Sequence, residues 1–128
     1  MTTATALHWA IKRSLIDYVR AQPDGTVELV DGASEVDGEF VFPATEPGTF
    51  RGGVVLTAHH GMLRVTLRDP SLEPAEAPTE LWLDDGQGRV AFAKLAADGS
   101  ARLTLDGADL FMAGPYGPGT ELDRPAVR

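Results

Sequence analysis

The sequence has 128 residues, no cysteine, and 19 acidic against 11 basic side chains, for a formal net charge of −8. A chain of that length suits one domain that buries about two thirds of its unfolded surface, and the lack of cysteine excludes disulfides, thiolate metal sites and cysteine nucleophiles. The acid excess, with its few cations scattered, argues against a nucleic-acid partner, and any anionic ligand has to be held by local groups against the overall field.

The first residues lack the basic segment and continuous apolar run of an export signal, since Lys12 and Arg13 fall inside an amphipathic pattern. No stretch has the apolar length to cross a bilayer. The expectation is a cytoplasmic protein without membrane insertion.

Apolar spacing predicts an amphipathic helix over about residues 6–22, ended by the turn signal Pro23-Asp24-Gly25. On such a helix Leu7, Ile11, Ser14 and Tyr18 share one stripe, widened by Leu15 and Val19, with Arg13, Asp17 and Arg20 opposite. The Ser14 hydroxyl and the Tyr18 phenol then lie side by side at the edge of an apolar face, where a flat, mostly apolar ligand with a polar end would fit. The same spacing describes a core tyrosine whose hydroxyl finds a partner at the rim. The pattern alone leaves both readings open.

Beyond the helix, short alternating or β-branched segments predict strands over residues 26–30, 39–42, 52–57, 62–68, 80–83, 89–95, 101–105 and 110–112. Leu63, Val65 and Leu67 face inward and Arg64, Thr66 and Arg68 outward, the mark of an antiparallel sheet with one wet face. Residues 84–88 and 97–100 read as hairpin connections, 43–48 as a turn, and 70–78 as an acidic, proline-rich extended connection. The fold class is mainly β: one domain over residues 1–128, an antiparallel β-sandwich or partly open barrel with one principal N-terminal helix packed on it.

The adjacent pair His59-His60 precedes Gly61 between two strands, so one imidazole can face a pocket while the other faces away; two solvated rings on a polar turn is the alternative. No zinc-ligand spacing, nucleophile elbow or glycine-rich phosphate loop is present. The segment over residues 107–125 carries Tyr116, the second of two tyrosines, among glycines and reads as a loop closing over the core.

Together these pieces resemble a known family. Trp9-x-x-Lys12-x-Ser14-x-x-x-Tyr18, then Asp37-Gly38-x-Phe40-x-Phe42-Pro43, then Ala58-His59-His60-Gly61-x-Leu63 with Asp69-Pro70, then Gly107 to Leu122-Asp123, resemble the HtaA-type heme-transport-associated domain of actinobacteria in order from Leu7 to Pro125. The resemblance implies a β-rich, non-enzymatic heme-binding domain acting in heme uptake, trafficking or buffering, in which a helix tyrosine ligates the iron of ferric heme b. That ligand position falls on Tyr18, and the family's helix serine, near a propionate, falls on Ser14. The supporting histidine falls on His59, with His60 as the alternative, and the C-terminal tyrosine falls on Tyr116.

A phenol ionises only near pH 10 in water, so iron and a hydrogen-bond donor on the same oxygen would both be needed to hold a phenolate at neutral pH. Ile11, Leu15 and Met112 are expected as porphyrin walls, and Lys12 or Arg13 as cations that bend round to the propionate beside Ser14. The expected partners are heme and another heme carrier or transporter component, with a homodimer if two exposed heme edges meet. The chain departs from the family in the short stretch between Phe50 and His59 and in Arg124, which separates Asp123 from Pro125. Two rival readings are a degenerate scaffold that binds a partner protein and a peroxidase-like heme enzyme. The second lacks a distal acid–base pair beyond the His59-His60 element already assigned to Tyr18.

Overall fold

The computed structural model of the protein describes residues 5–111 and 116–128. The elements run β1 (Ala6–Trp9), α1 (Arg13–Ala21), β2 (Thr26–Val30), β3 (Ser34–Val36), β4 (Glu39–Glu46), β5 (Thr49–Phe50) and β6 (Gly53–Ala58). A 3-10 turn at His59–Gly61 leads to β7 (Leu63–Glu73), β8 (Glu80–Asp84), β9 (Arg89–Leu95), β10 (Ala101–Leu103), α2 (Leu105–Asp109), β11 (Glu121–Leu122) and β12 (Ala126–Val127). The strands form an antiparallel sheet in the order β11-β10-β9-β8-β7-β5-β4-β1-β12, with β6 joining β2 to β7 and β3 alongside β4. It curls into a half-barrel, the partly open form of the two expected.

Alternation places the core. Phe40 and Phe42 of β4, Val54, Leu56 and Ala58 of β6, Val65 and Leu67 of β7, and Leu81 and Leu83 of β8 are buried. Helix α1 covers β2 and β6 with Leu15, Ile16 and Val19. Each such side chain contributes about 1.5–3 kcal/mol on leaving water. Trp9 meets Phe92 edge to face, with centroids 5.9 Å apart, an arrangement favoured by the opposed charge of ring edge and ring face.

The helix begins at Arg13, not near residue 6. Residues 6–9 form strand β1, paired with β4 on one side and β12 on the other, and their burial alternates, with Leu7 and Trp9 inside. Leu7 and Ile11 are therefore not on the helix stripe. Between strand and helix, Ile11 adopts a left-handed backbone (φ 63°), costing a β-branched residue about 1–2 kcal/mol. Its complete burial and a 2.9 Å hydrogen bond from the Asp123 N–H to its carbonyl offset that cost.

Asp123 fastens the whole junction. Its carbonyl accepts the Trp9 indole N–H at 2.7 Å, and its carboxylate takes the Arg13 guanidinium at 3.2 Å and, more loosely, the Arg13 backbone N–H at 3.4 Å. Lys12, at the N-cap of α1, makes no side-chain cap. A carboxylate from the far end of the chain supplies negative charge to that helix terminus instead.

Other differences are local. Residues 43–46 continue β4, leaving the turn to Pro47 and Gly48, and residues 70–73 belong to β7. The strand expected over residues 101–105 stops at Leu103 because Thr104 caps α2, its hydroxyl accepting the Gly107 N–H at 2.9 Å. Leu110 and Phe111, expected in a strand, lie in the turn after α2, and Met112 lies outside the described residues. Among the described residues no helix is long and apolar enough to cross a membrane.

Candidate functional site

Ser14 and Tyr18 project from the flank of α1 next to its buried arc and are both exposed, Tyr18 at 44%. The half-barrel brings the β6–β7 corner to the same place. The Tyr18 Oη lies 2.7 Å from His59 Nε2, with the two rings 5.8 Å apart and tilted by 55°. His60 points away, its side chain 95% exposed and its Nδ1 3.7 Å from an Asp24 carboxylate oxygen. Of the two histidines, His59 is the one that meets Tyr18.

The corner has an unusual backbone. His59, His60 and Gly61 are consecutively left-handed, at φ 55°, 56° and 85°, and successive N–H groups in such a turn form a concave cradle for an anion. The carboxylate of Asp24 occupies that cradle, accepting the backbone N–H of His59 at 3.2 Å and that of His60. Asp24 belongs to the turn that ends α1. That turn is pressed against the helix, because a Cβ on Gly25 would stand 1.6 Å from the Val19 carbonyl oxygen.

The His60 amide above all lowers the Asp24 pKa below its ordinary value; burial opposes this, and the Asp24 amide, the His60 ring and the His59 amide add to the lowering. A carboxylate with a depressed folded pKa contributes stability above its unfolded pKa and loses that contribution as pH falls through the folded value. Titration of the Asp24 side-chain carboxyl by 13C NMR is expected to give a midpoint below about 3.9, so the corner stays fastened through mildly acidic conditions. A midpoint at or above that value contradicts the geometry.

The remaining expected residues fall as follows. The Ser14 hydroxyl has no hydrogen-bond partner among the described residues. Ile11 and Leu15, expected as porphyrin walls, are buried in the core at 0% and 2% exposure. Tyr116 is half-buried, its ring 5.4 Å from that of Phe111; burial raises its pKa, and charge on nearby Tyr18 raises it further. Lys12 and Arg13 do not bend round to Ser14. The Lys12 ammonium donates to the Glu121 carbonyl at 2.9 Å and Arg13 pairs with Asp123.

Asp24 and Asp123 were missed by sequence reasoning. Asp24 reads as an ordinary turn former in Pro-Asp-Gly, and nothing local to Asp123 announces partners more than a hundred residues away. Among the described residues, no three His, Asp or Glu side chains converge as a bare metal site.

A family model described as Htaa matches residues 4–127. The chain belongs to the HtaA family. HtaA domains are associated with heme transport. The C-terminal domain of HtaA from Corynebacterium glutamicum is 22% identical, with a TM-score of 0.80 over 98% of this chain and 94% of that one. The N-terminal domain of the same protein is 19% identical, with a TM-score of 0.73 over 99% and 96%. A domain-swapped dimer of a histidine-to-alanine variant of the C-terminal domain is 20% identical, with a TM-score of 0.62 over 90% and 88%. No curated protein matches the chain. These likenesses establish the shared HtaA fold, a helix laid on a curled antiparallel sheet.

Proposed function

We propose that this HtaA domain binds ferric b-type heme through the phenolate oxygen of Tyr18, acting as a carrier or buffer that exchanges it with another heme carrier or transporter component. The observation that carries the reading is the 2.7 Å contact between an exposed tyrosine oxygen and an imidazole nitrogen. A ligand oxygen has to be accessible and has to lose its proton, and Tyr18 meets the first requirement while His59 serves the second. The contact sets the phenol against an imidazole nitrogen that can take up its proton, and with heme bound a protonated Nε2 would donate to the phenolate, holding its charge and orientation.

Ferric heme supplies a Lewis-acidic iron that favours a hard, anionic oxygen. The donor set fits: a phenol with a proton acceptor in place, and one helical turn earlier the exposed Ser14 hydroxyl, free among the described residues to donate to a propionate. The half-buried Tyr116 ring, backed by the buried Phe111 ring 5.4 Å away, supplies aromatic surface near Tyr18. With Lys12 and Arg13 engaged elsewhere, Ser14 carries the propionate contact without a cation from its own helix.

Titration of the apoprotein with hemin is expected to give a saturable Soret band at one heme per chain. The melting temperature should rise with it, since a ligand at 100 times its Kd adds about 2.7 kcal/mol to a fold that alone binds it. Absence of both would overturn the reading.

A further inference from the structure

We propose that Asp24 is a positioning residue for the Tyr18–His59 pair: its carboxylate, fixed at the end of the helix that bears the tyrosine, grips the backbone of the corner that bears the histidine. The inference rests on the heme reading for its consequence, but its geometry stands in the free protein.

Two separately built parts have to meet at Tyr18 Oη. One is helix α1, seated by Leu15, Ile16 and Val19. The other is the tip of the β6–β7 hairpin, where His59, His60, Gly61 and Met62 are all exposed and the 3-10 turn contains no buried residue. Packing therefore does little to hold the tip. Its left-handed residues are also costly, since a non-glycine residue held in that region costs about 1–3 kcal/mol, and two are adjacent here.

The described hydrogen bonds that hold the backbone of His59 and His60 to another element are those to Asp24, one from each amide. A bond from the Met62 N–H to the His59 carbonyl at 3.0 Å closes the turn within itself. Asp24 cannot drift from the helix, because the turn around Gly25 lies against the Val19 carbonyl and the Gly25 N–H donates to Gln22 O at 3.0 Å. The Gln22 side chain in turn donates to the Tyr18 carbonyl at 3.2 Å. A short chain of contacts thus runs from the Tyr18 backbone through the turn and the Asp24 carboxylate to the His59 backbone. The His59 ring is directed at Tyr18 from a backbone whose strain one carboxylate compensates.

The test compares Asp24→Ala, Asp24→Asn, His59→Ala and the double variant Asp24→Ala/His59→Ala, each as the full chain, with Tyr18→Phe as a spectral reference. In the free protein, long-range 1H–15N spectra of the His59 ring report its bond to Tyr18. Asp24→Ala is expected to move those resonances to the position they take in Tyr18→Phe. With hemin as the probe, Asp24→Ala is expected to speed hemin loss about 10–100-fold, the usual effect of removing an outer partner of a ligand. The double variant should lose hemin no faster than His59→Ala.

Asp24→Asn keeps one acceptor oxygen and is expected to fall between wild type and Asp24→Ala in both measurements. It also serves if Asp24→Ala is poorly folded. Unchanged His59 ring resonances in Asp24→Ala and Asp24→Asn would overturn the proposal, as would additive effects of Asp24→Ala and His59→Ala. If the wild type holds no hemin, the heme reading fails, and the ring spectra of the free protein still decide the role of Asp24.

Discussion

Tyr18→Phe is expected to lower hemin affinity by more than about 100-fold, beyond the 10–100-fold typical of an outer partner, while leaving the free protein folded. The substitution removes one oxygen atom from a ring that is 44% exposed and whose hydrogen bond goes to an exposed corner. The structural cost is that of one solvent-accessible hydrogen bond, about 1 kcal/mol. His59→Ala leaves the phenol in place and is expected to weaken binding about 10–100-fold, and to make it more sensitive to acid. Soret titrations of the three proteins, with calorimetric melts of the free forms, separate the roles. Full hemin affinity in Tyr18→Phe would remove the basis of the proposed function.

The largest loss of stability is expected at Trp9. Trp9→Ala removes a side chain that is 1% exposed, set edge-on against Phe92 and donating to the Asp123 carbonyl. A cavity of that size costs about 3–5 kcal/mol, against a total of about 5–15 kcal/mol for a domain. Trp9→Phe keeps part of the packing and loses the donor, for about 1–3 kcal/mol. Urea unfolding should show a reduced midpoint with the slope unchanged. A loss below about 1 kcal/mol in Trp9→Ala would mean that the β1–α1 junction is held by something other than this latch.

Where the sequence signal was long and regular, it was legible. Strands β2 and β9 fall on the residues that alternation predicts, and β4, β6, β7 and β8 differ at their ends. The failure at residues 6–9 has a specific cause. Leu7 and Ile11 are four apart, which suits a helix, while Leu7 and Trp9 are two apart, which suits a strand, and four residues are too few for one period to exclude the other. The decision is made at Ile11, whose left-handed backbone is stabilised by Asp123 from the far end of the chain and leaves no local trace.

Strands β3, β5, β11 and β12, of two or three residues, are likewise products of their neighbours. Helix α2 did have a readable start in Thr104 followed by Asp106, obscured by the alternation of Arg102, Leu103, Thr104 and Leu105. At the site, the spacing of Ser14 and Tyr18 was visible in the pattern. The meeting of Tyr18 with His59 was reached through the family resemblance, because nothing local encodes a contact across a separation of 41 positions.

The exposed setting of Tyr18 bears on speed. Its oxygen stands outside the packed interior, so a heme held there as proposed would come and go without any strand parting or any core side chain leaving its neighbours. Its residence time would then be governed by a handful of polar links at the rim rather than by the packing of the barrel.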